Sequence, residues 1–433
     1  MNDDAVARAT SMASTSNETT RGDAARARGN DEDAFFKLMN DFSPTDAREP
    51  LVFMSWNANG LLNRVRDKVQ GRGGVPREAM ALREAVMKRK PDVIALQEVW
   101  LKCAGGPSKG RGDAPWCVFS FLVFVFERVV ATAFECDGLT LASRASRRRH
   151  AEPSADGKYG DDKTFIEDMM RRAPFKNYDV HWCLATAKRH GVGVLVKKGL
   201  KTPIRVSRTL DIDDAVDETP DDIDTNEGRV LVLEYENMVV VNTYVPHNGG
   251  TLERHEKRAL WDHRVRRFLS HHVKRKDVVW TGDLNVAHRD LDVGPHPAMF
   301  EGVGGFTLPE RRRFTDALAA TSMVDAYRAF HGDKSTFTWR GGNGSGWRGM
   351  RLDYFIISAS LASRIENVFT STDKYSDEIA QTMPVSCFFG SDHCALFLEL
   401  RRRAEHPSRD DDEDDDGAKK KRKTDTEDAI VIE

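Results

Sequence analysis

A mixed α/β fold is the class the sequence predicts, on two observations. Apolar strand-like runs recur between helical patterns, and two neighbouring runs stand close enough to pair directly. In chain order the runs are Leu51–Asn57, Asp92–Glu98, Gly191–Lys197, Val230–Tyr235, Met238–Val245, Asp277–Asn285, Arg351–Ile357 and Cys394–Leu400. Each is short and rich in Val, Ile and Leu, as a buried strand should be. Between them, residues 76–90 place Ala79, Leu82 and Val86 on one helical face. Residues 251–274 do the same with Trp261, Val265, Phe268 and Leu269.

The flanks read differently. Residues 1–50 are rich in Ala, Arg, Asp, Ser and Thr, with few apolar residues beyond Phe35–Leu38, and are expected to be disordered. They have no apolar secretory core and too many acids for an organelle transit peptide. Residues 403–433 form a second charged tail, with an acidic run at Asp410–Asp416 and a basic cluster at Lys419–Lys423. Such a cluster resembles a nuclear localisation signal, against the plain alternative of a solvated charge run. The expected globular domain is therefore 51–402. Within it, residues 103–163 show no clear period and mix Gly, Arg and Ser stretches with the apolar run from Trp116. They are either a long insertion or a sequence artefact such as a translated intron.

Composition narrows the function. Of the chain's 65 basic and 68 acidic residues, the two tails (1–50 and 404–433) hold 12 and 22, which leaves 53 basic and 46 acidic between them. A modestly basic body suits a polyanionic partner, among many others. The six cysteines, at 103, 117, 136, 183, 387 and 394, have no CxxC pair and no regular spacing. A reducing compartment without structural zinc is expected. The most apolar run, Trp116–Phe126, is cut at once by Glu127 and Arg128, so no membrane partner is expected.

The conspicuous polar residues stand at the ends of the apolar strands. Asn57, Glu98 and Tyr244 close three of them, Asp283 and Asn285 end a fourth, and Asp392-His393 opens the last. Ligand-handling residues gather at strand ends in open α/β sheets. Taken singly, a carboxylate there is more often a turn or cap residue, and a lone histidine more often a core or surface one. The recurrence across strands tells against that reading of the whole set. All are oxygen and nitrogen donors with no thiol, which suits Mg²⁺ or Mn²⁺ and not zinc. Phosphodiester hydrolysis needs an activated water, donors for developing charge and a metal on a phosphoryl oxygen; this inventory supplies each. No GxxxxGK[ST] loop supports nucleotide-fuelled transfer.

Eight segments in order make a family resemblance specific: Trp56-Asn57-Ala58-Asn59-Gly60-Leu61, Leu96-Gln97-Glu98, Gly191-Val192-Gly193, Glu227-Gly228-Arg229-Val230, Tyr244-Val245-Pro246, Gly282-Asp283-Leu284-Asn285, Arg351-Leu352-Asp353-Tyr354 and Gly390-Ser391-Asp392-His393. The chain resembles exonuclease III-type apurinic/apyrimidinic (AP) endonucleases of the endonuclease/exonuclease/phosphatase superfamily. Gly305-Phe306-Thr307 with Glu310-Arg311, and Thr336-Phe337-Thr338-Trp339, point to the AP endonuclease branch. The resemblance implies a DNase I-like four-layer sandwich of two packed β-sheets flanked by helices. It also implies Mg²⁺-dependent cleavage of double-stranded DNA 5′ of abasic sites, with 3′-5′ exonuclease or 3′-phosphodiesterase activity as an accompaniment.

Position by position, the resemblance makes Glu98 the principal metal ligand with Asn57 beside it and Asn59 nearby. Asp283 activates water, Asn285 contacts the phosphoryl oxygen, and Tyr244 contacts phosphate or handles a proton. His393 binds the scissile phosphate and is oriented by Asp353; Asp392 marks a possible second metal position. The wider metal set is Asn57, Glu98, Asp283, Asn285, Asp392 and His393. Asn59, Arg229 and His247 join the substrate contacts, although His247 stands where many relatives carry Asn. Met350 stands where eukaryotic relatives carry Trp. Phe337, Trp339 and Met350, with Leu352 opposite, are the expected wall of a pocket too small and apolar for a base, the two aromatics being read as loop residues. Two other classes remain open at this stage: a related nuclease or phosphatase acting on RNA or a phosphomonoester, and a catalytically silent DNA-binding protein. Intact Glu98, Asp283 and His393 disfavour the second. A monomer in the nucleus is expected, with a SUMO or repair-protein contact through Asp428–Glu433, whose aliphatics could add a strand to a partner's sheet.

Overall fold

Alternation along single strands decides the layering. A computed structural model describes residues 48–65, 77–101, 162–185, 190–212, 227–249, 252, 254–294, 296–341, 348–373 and 388–403. The tails fall outside these residues, and so does the expected insertion except for its last two positions. All elements below belong to the unit that runs to Arg401.

In β1 (Val52–Asn57), Phe53 faces one core while Met54 and Trp56 face another, as a period of two requires. β1 pairs in parallel with β2 (Val93–Gln97). The first sheet is completed by β3 (Tyr178–Cys183), β4 (Val192–Lys197), β13 (Ile365–Thr370) and β14 (Leu396–Leu400), in the order β13-β14-β1-β2-β4-β3. The second sheet contains β5 (Arg205–Ser207), β6 (Val230–Glu234), β7 (Met238–Tyr244), β8 (Asp277–Asp283), β9 (Met323–Asp325) and β12 (Asp353–Ser358). Its order is β5-β6-β7-β8-β12-β9, and its one parallel pair is β7 with β8. A separate two-stranded ribbon joins β10 (Trp339–Gly341) to β11 (Arg348–Met350).

The inner core is shared by the two sheets: Phe53, Val93, Val194 and Val196 from the first meet Leu231, Val240, Val279, Phe355 and Ile357 from the second. Outside the first sheet lie α1 (Leu61–Val65), α2 (Arg77–Arg89) and α3 (Asp162–Arg171), which contribute Leu61, Leu82, Val86, Ile166 and Met169. Outside the second sheet, α4 (His255–His272) and α5 (Leu308–Thr321) contribute Trp261, Val265, Phe268 and Phe314. This is the expected four-layer α/β sandwich. Not anticipated from the sequence were α1, α3, α5, α6 (Ala326–His331), α7 (Ala359–Ala362), the strands β3, β5, β9 and β13, and the β10–β11 pair. No helix among the described residues is long and apolar enough to cross a membrane.

One polar contact sets how the sheets slide on each other. Gln97 Nε2 of β2 donates to Asn242 Oδ1 of β7 at 2.8 Å, and Asn242 Nδ2 returns bonds to the carbonyls of Leu96 (3.1 Å) and Gly193 (3.0 Å). All of this is buried, so any slippage of one sheet on the other would orphan several polar groups. The two parallel pairs thus end side by side, with Glu98 following one and Asp283 ending the other.

Candidate active site

Three residues that carry chemistry occupy unusual backbone. Asn59 (φ 43°), Glu98 (φ 47°) and Asn285 (φ 47°) all lie in the left-handed region, which costs a residue with a side chain free energy. Packing holds them there. Gly60 N–H donates to the Glu98 carbonyl at 2.8 Å, and the Asn285 amide N–H donates to Asp283 Oδ1 at 3.0 Å.

Asn57 is the hub. Its Nδ2 donates to Glu98 Oε1 at 2.8 Å and Asp283 Oδ2 at 3.0 Å and lies 3.5 Å from His393 Nε2. Its Oδ1 accepts the Asn59 N–H at 3.0 Å. That oxygen keeps a second lone pair, while the NH₂ group presents donors to the two carboxylates. Glu98 is half-buried, and its Oε2 accepts from Trp100 Nε1 at 3.1 Å. Glu98, Asp283 and His393 each place one ligand-type atom within 4.8 Å of the others. All three belong to the expected metal set, and Asn57 of that set touches Glu98 and Asp283.

His393 sits between two carboxylates. Its Nδ1 is 2.8 Å from Asp353 Oδ2, and its Nε2 is 3.9 Å from Asp283 Oδ2. Burial alone would lower its pKa, but Asp353 and Asp283 override it and hold the ring well above the ordinary imidazole range. A protonated ring donates, which fits the expected phosphate contact. Burial pushes the Asp283 carboxyl above the usual carboxylate range, with Asp353 and Glu98 adding to the rise and His393 opposing it. A carboxylate moved in that direction is a better base near neutrality.

Asp392 stands apart from the cluster. Its Oδ1 accepts from Asn59 Nδ2 at 2.7 Å and its Oδ2 from Trp339 Nε1 at 3.1 Å, an arrangement that orders Asn59 and Trp339 beside the site. Burial raises the Asp392 pKa, yet His393 and Asn59 bring it below its ordinary value. Asn285 Nδ2 donates to the Val245 carbonyl at 2.9 Å, which ties the end of β8 to the end of β7. Tyr244 is pushed well above the normal phenol range by burial first, then by Glu98 and Asp283, so it remains a neutral hydroxyl at neutral pH. Arg229 covers its ring at 4.6 Å and donates to its carbonyl at 2.9 Å, while pairing with Glu227; this makes Arg229 a support for Tyr244.

His247 is half-buried, accepts the Gly249 N–H on Nδ1 at 2.9 Å, and packs so closely on Gly304 that any side chain there would strike its ring. Burial lowers its pKa, so at neutral pH it is an uncharged group.

Phe337 lies in the loop before β10, as expected, and is buried with its ring against the backbone of Gly349. Trp339 lies on β10 and is half-buried. It packs on a small apolar cluster of Ala287, Val293, Phe300, Phe306, Met350 and Leu352. Of the expected wall, Trp339 is the partly exposed member, and Met350 and Leu352 are packed behind it.

Sequence reasoning assigned no role to the residues that hold this geometry. Ser391 Oγ donates to the Asn57 carbonyl at 2.7 Å and accepts the His393 N–H at 3.1 Å, which joins the first and last strands of the site. Arg258, buried in α4, donates to the carbonyls of Pro246, Asn285 and Leu284, each at 3.0 Å, and clamps the ends of β7 and β8 together. Thr307 caps α5 in a reciprocal box with Glu310, whose carboxylate also takes the Gly305 N–H at 2.9 Å. The Thr-x-x-Glu spacing was the one available signal.

The endonuclease/exonuclease/phosphatase family model matches residues 54–393, a span that begins in β1 and ends on His393. The chain belongs to this family. Among curated relatives it is 32% identical over 377 residues to a DNA-(apurinic or apyrimidinic site) endonuclease of Arabidopsis thaliana, covering 82% of this chain and 86% of that one. It is 30% identical over 241 residues to an exodeoxyribonuclease of Bacillus subtilis, covering 54% and 84%. Among solved structures, the AP endonuclease of Leishmania major superposes with a TM-score of 0.53 at 22% identity, over 84% of this chain and 90% of that one, a likeness of fold.

Proposed function

We propose that this protein is a metal-dependent DNA repair endonuclease that hydrolyses the phosphodiester 5′ of an abasic site, leaving a 3′-hydroxyl and a deoxyribose 5′-phosphate. The observation that carries the reading is the convergence of Glu98, Asp283 and His393 on Asn57, beside an apolar wall of Trp339 and Met350. Family relatives named as AP endonucleases and exodeoxyribonucleases support the same chemistry, and a 3′-5′ exonuclease side activity belongs to the proposal.

The residues divide the work. Glu98 and Asp283 supply the hard oxygens that would hold Mg²⁺, or Mn²⁺ in its place, and the ion would neutralise charge on a phosphoryl oxygen. Asp283 takes the proton of the attacking water. His393, kept protonated by Asp353, and the amide of Asn285 donate to the phosphoryl oxygens as charge develops. Tyr244, neutral and backed by Arg229, offers one further hydroxyl donor.

The test is cleavage of a duplex carrying one abasic analogue, with and without EDTA. A single incision 5′ of the analogue that EDTA abolishes is the expected result. Undiminished cleavage in excess EDTA, or cleavage only of RNA or a phosphomonoester, would overturn the reading. Affinity for the duplex should also fall as salt rises, because phosphate contacts carry much of the binding.

Selection of the abasic nucleotide is assigned to the Trp339 wall. An extruded nucleotide without a base costs least to flip and fits a shallow apolar pocket that a base would overfill. Trp339→Ala should therefore narrow the preference for abasic over undamaged DNA by about tenfold, a change worth roughly 1.4 kcal/mol. Phe337→Ala should lower the melting temperature and leave that preference unchanged. Equal preferences in wild type and Trp339→Ala would move the selectivity elsewhere. The protein is further proposed to act as a monomer in the nucleus, directed by Lys419–Lys423, with Asp428–Glu433 as a SUMO-type or repair-protein contact. A fluorescent fusion that stays nuclear with those five residues changed to Ala would remove the localisation proposal.

A further inference from the structure

Thr338 is almost fully buried and touches none of the groups assigned to metal or phosphate. Its contacts nevertheless close a ring around the Asp353–His393 pair. The hydroxyl oxygen accepts two backbone N–H groups, from Leu352 at 2.9 Å and from Asp353 itself at 3.0 Å. The Thr338 carbonyl accepts the N–H of Cys394, the residue after His393, at 2.8 Å. The Asp353 carboxylate then meets His393 Nδ1 at 2.8 Å. One residue therefore fixes the main chain on both sides of the pair.

The topology explains why a side chain is needed there. β9 pairs with β12 only over Ile356–Ser358, so the start of β12 has no strand on that flank. A hydroxyl oxygen with two lone pairs can satisfy two adjacent amides at once; an alkyl group can satisfy neither. The neighbouring residues continue the same seam. Trp339 forms an isolated bridge with His393, and the Arg340 N–H donates to the Asp392 carbonyl at 3.0 Å.

We infer that Thr338 is a positioning residue for the reaction: its hydroxyl sets the distance between the Asp353 carboxylate and the His393 ring, and through it the aim of His393 at the phosphate. The inference rests on the proposed cleavage of abasic DNA as the assayed reaction. Wild-type turnover is measured first, so that an inactive wild type counts against that reading and a difference between variants counts for or against this one.

The experiment compares Thr338→Val, which keeps the shape and removes the acceptor, with Thr338→Ser, which keeps the acceptor. Val239→Ala, a core truncation on β7 away from the pair, serves as the stability control. Thr338→Val should lower kcat about thirtyfold with KM within threefold, while Thr338→Ser stays within threefold of wild type in both. The downfield proton NMR signal of His393 Nδ1–H should shift or broaden in the Val variant and persist in the Ser variant. Val239→Ala should lower the melting temperature by at least as much and leave kcat unchanged. If Thr338→Val fails to fold, Thr338→Cys, whose thiol accepts weakly, takes its place, with an expected loss of several-fold in kcat. A serine variant as slow as the valine or cysteine one would overturn the inference. So would a control of equal instability that loses the same activity.

Discussion

Asp283→Asn is expected to lower turnover on abasic duplex by about three to four orders of magnitude, because one residue serves both as the proposed base and as a proposed metal holder. The carboxylate is buried and fully committed: Oδ1 holds the Asn285 N–H, and Oδ2 faces Asn57 Nδ2 and the His393 ring. An amide at this position can keep the first contact. On the other side it either sets its NH₂ against the Asn57 NH₂ or offers a neutral oxygen where a base is required. His393→Ala should cost a similar factor, and the double variant little more than either single one, since the two groups serve one step. Single-turnover rates, with circular dichroism to verify the fold, decide the matter. A loss smaller than tenfold in either single variant would show that the water or the phosphate is handled elsewhere.

The largest stability effect should come from Asp292, a buried carboxylate that no strand end announces. Its Oδ1 accepts Arg351 Nε at 2.7 Å and also the Arg328 guanidinium, and its Oδ2 accepts the Arg289 N–H at 2.8 Å. Arg351 reaches Asp325 Oδ2 at 2.6 Å with its other arm. Asp292→Ala leaves the Arg351 charge buried with half its neutralising partners, which should cost about 3–5 kcal/mol. The pH dependence has a definite sign. Burial opposes charge on Asp292, but Arg351 and Arg328 prevail and bring its pKa from 3.8 to about 2. A carboxylate with a depressed folded-state pKa stabilises fully above its unfolded pKa and loses that contribution as pH falls towards the folded value. The gap in unfolding free energy between wild type and Asp292→Asn should therefore narrow by about 2 kcal/mol between pH 5 and pH 2. Urea titrations across that range would contradict the assignment if the gap stayed constant.

Much of the scaffold was legible because the central strands are written as uninterrupted apolar runs. Val230–Glu234 and Met238–Tyr244 are nearly wholly buried on both faces, so their sequence could serve no other purpose. The edge strands were not legible: Arg205–Ser207 and Trp339–Gly341 are three residues long and half exposed, and nothing in their composition separates them from loop. The same limit hid the burial of Phe337. Glycine reads as flexibility in a sequence, yet Gly349 serves here as a bare surface for the Phe337 ring, and that pairing exists only in three dimensions. The reacting residues were legible from their place at strand ends. Their supports were not, because Ser391 serves Asn57, Thr338 serves Asp353 and Arg258 serves Asn285 across separations that carry no periodic signal.

The place of β14 in the first sheet governs when this protein can come into being during synthesis. β14, the last described strand, pairs with both β13 and β1 and so joins the edge strand to the rest of the sheet; Met54 on β1 waits for Phe397, roughly 340 residues later. At ribosomal speeds of about 5–20 residues per second, β1 presents an unsatisfied edge for some 20–70 seconds. His393 emerges with the same strand, so the sheet and the site are completed together. A nascent chain halted before residue 390 would lack His393 and leave β1 without its β14 partner, a form suited to capture by chaperones or by another chain's strand.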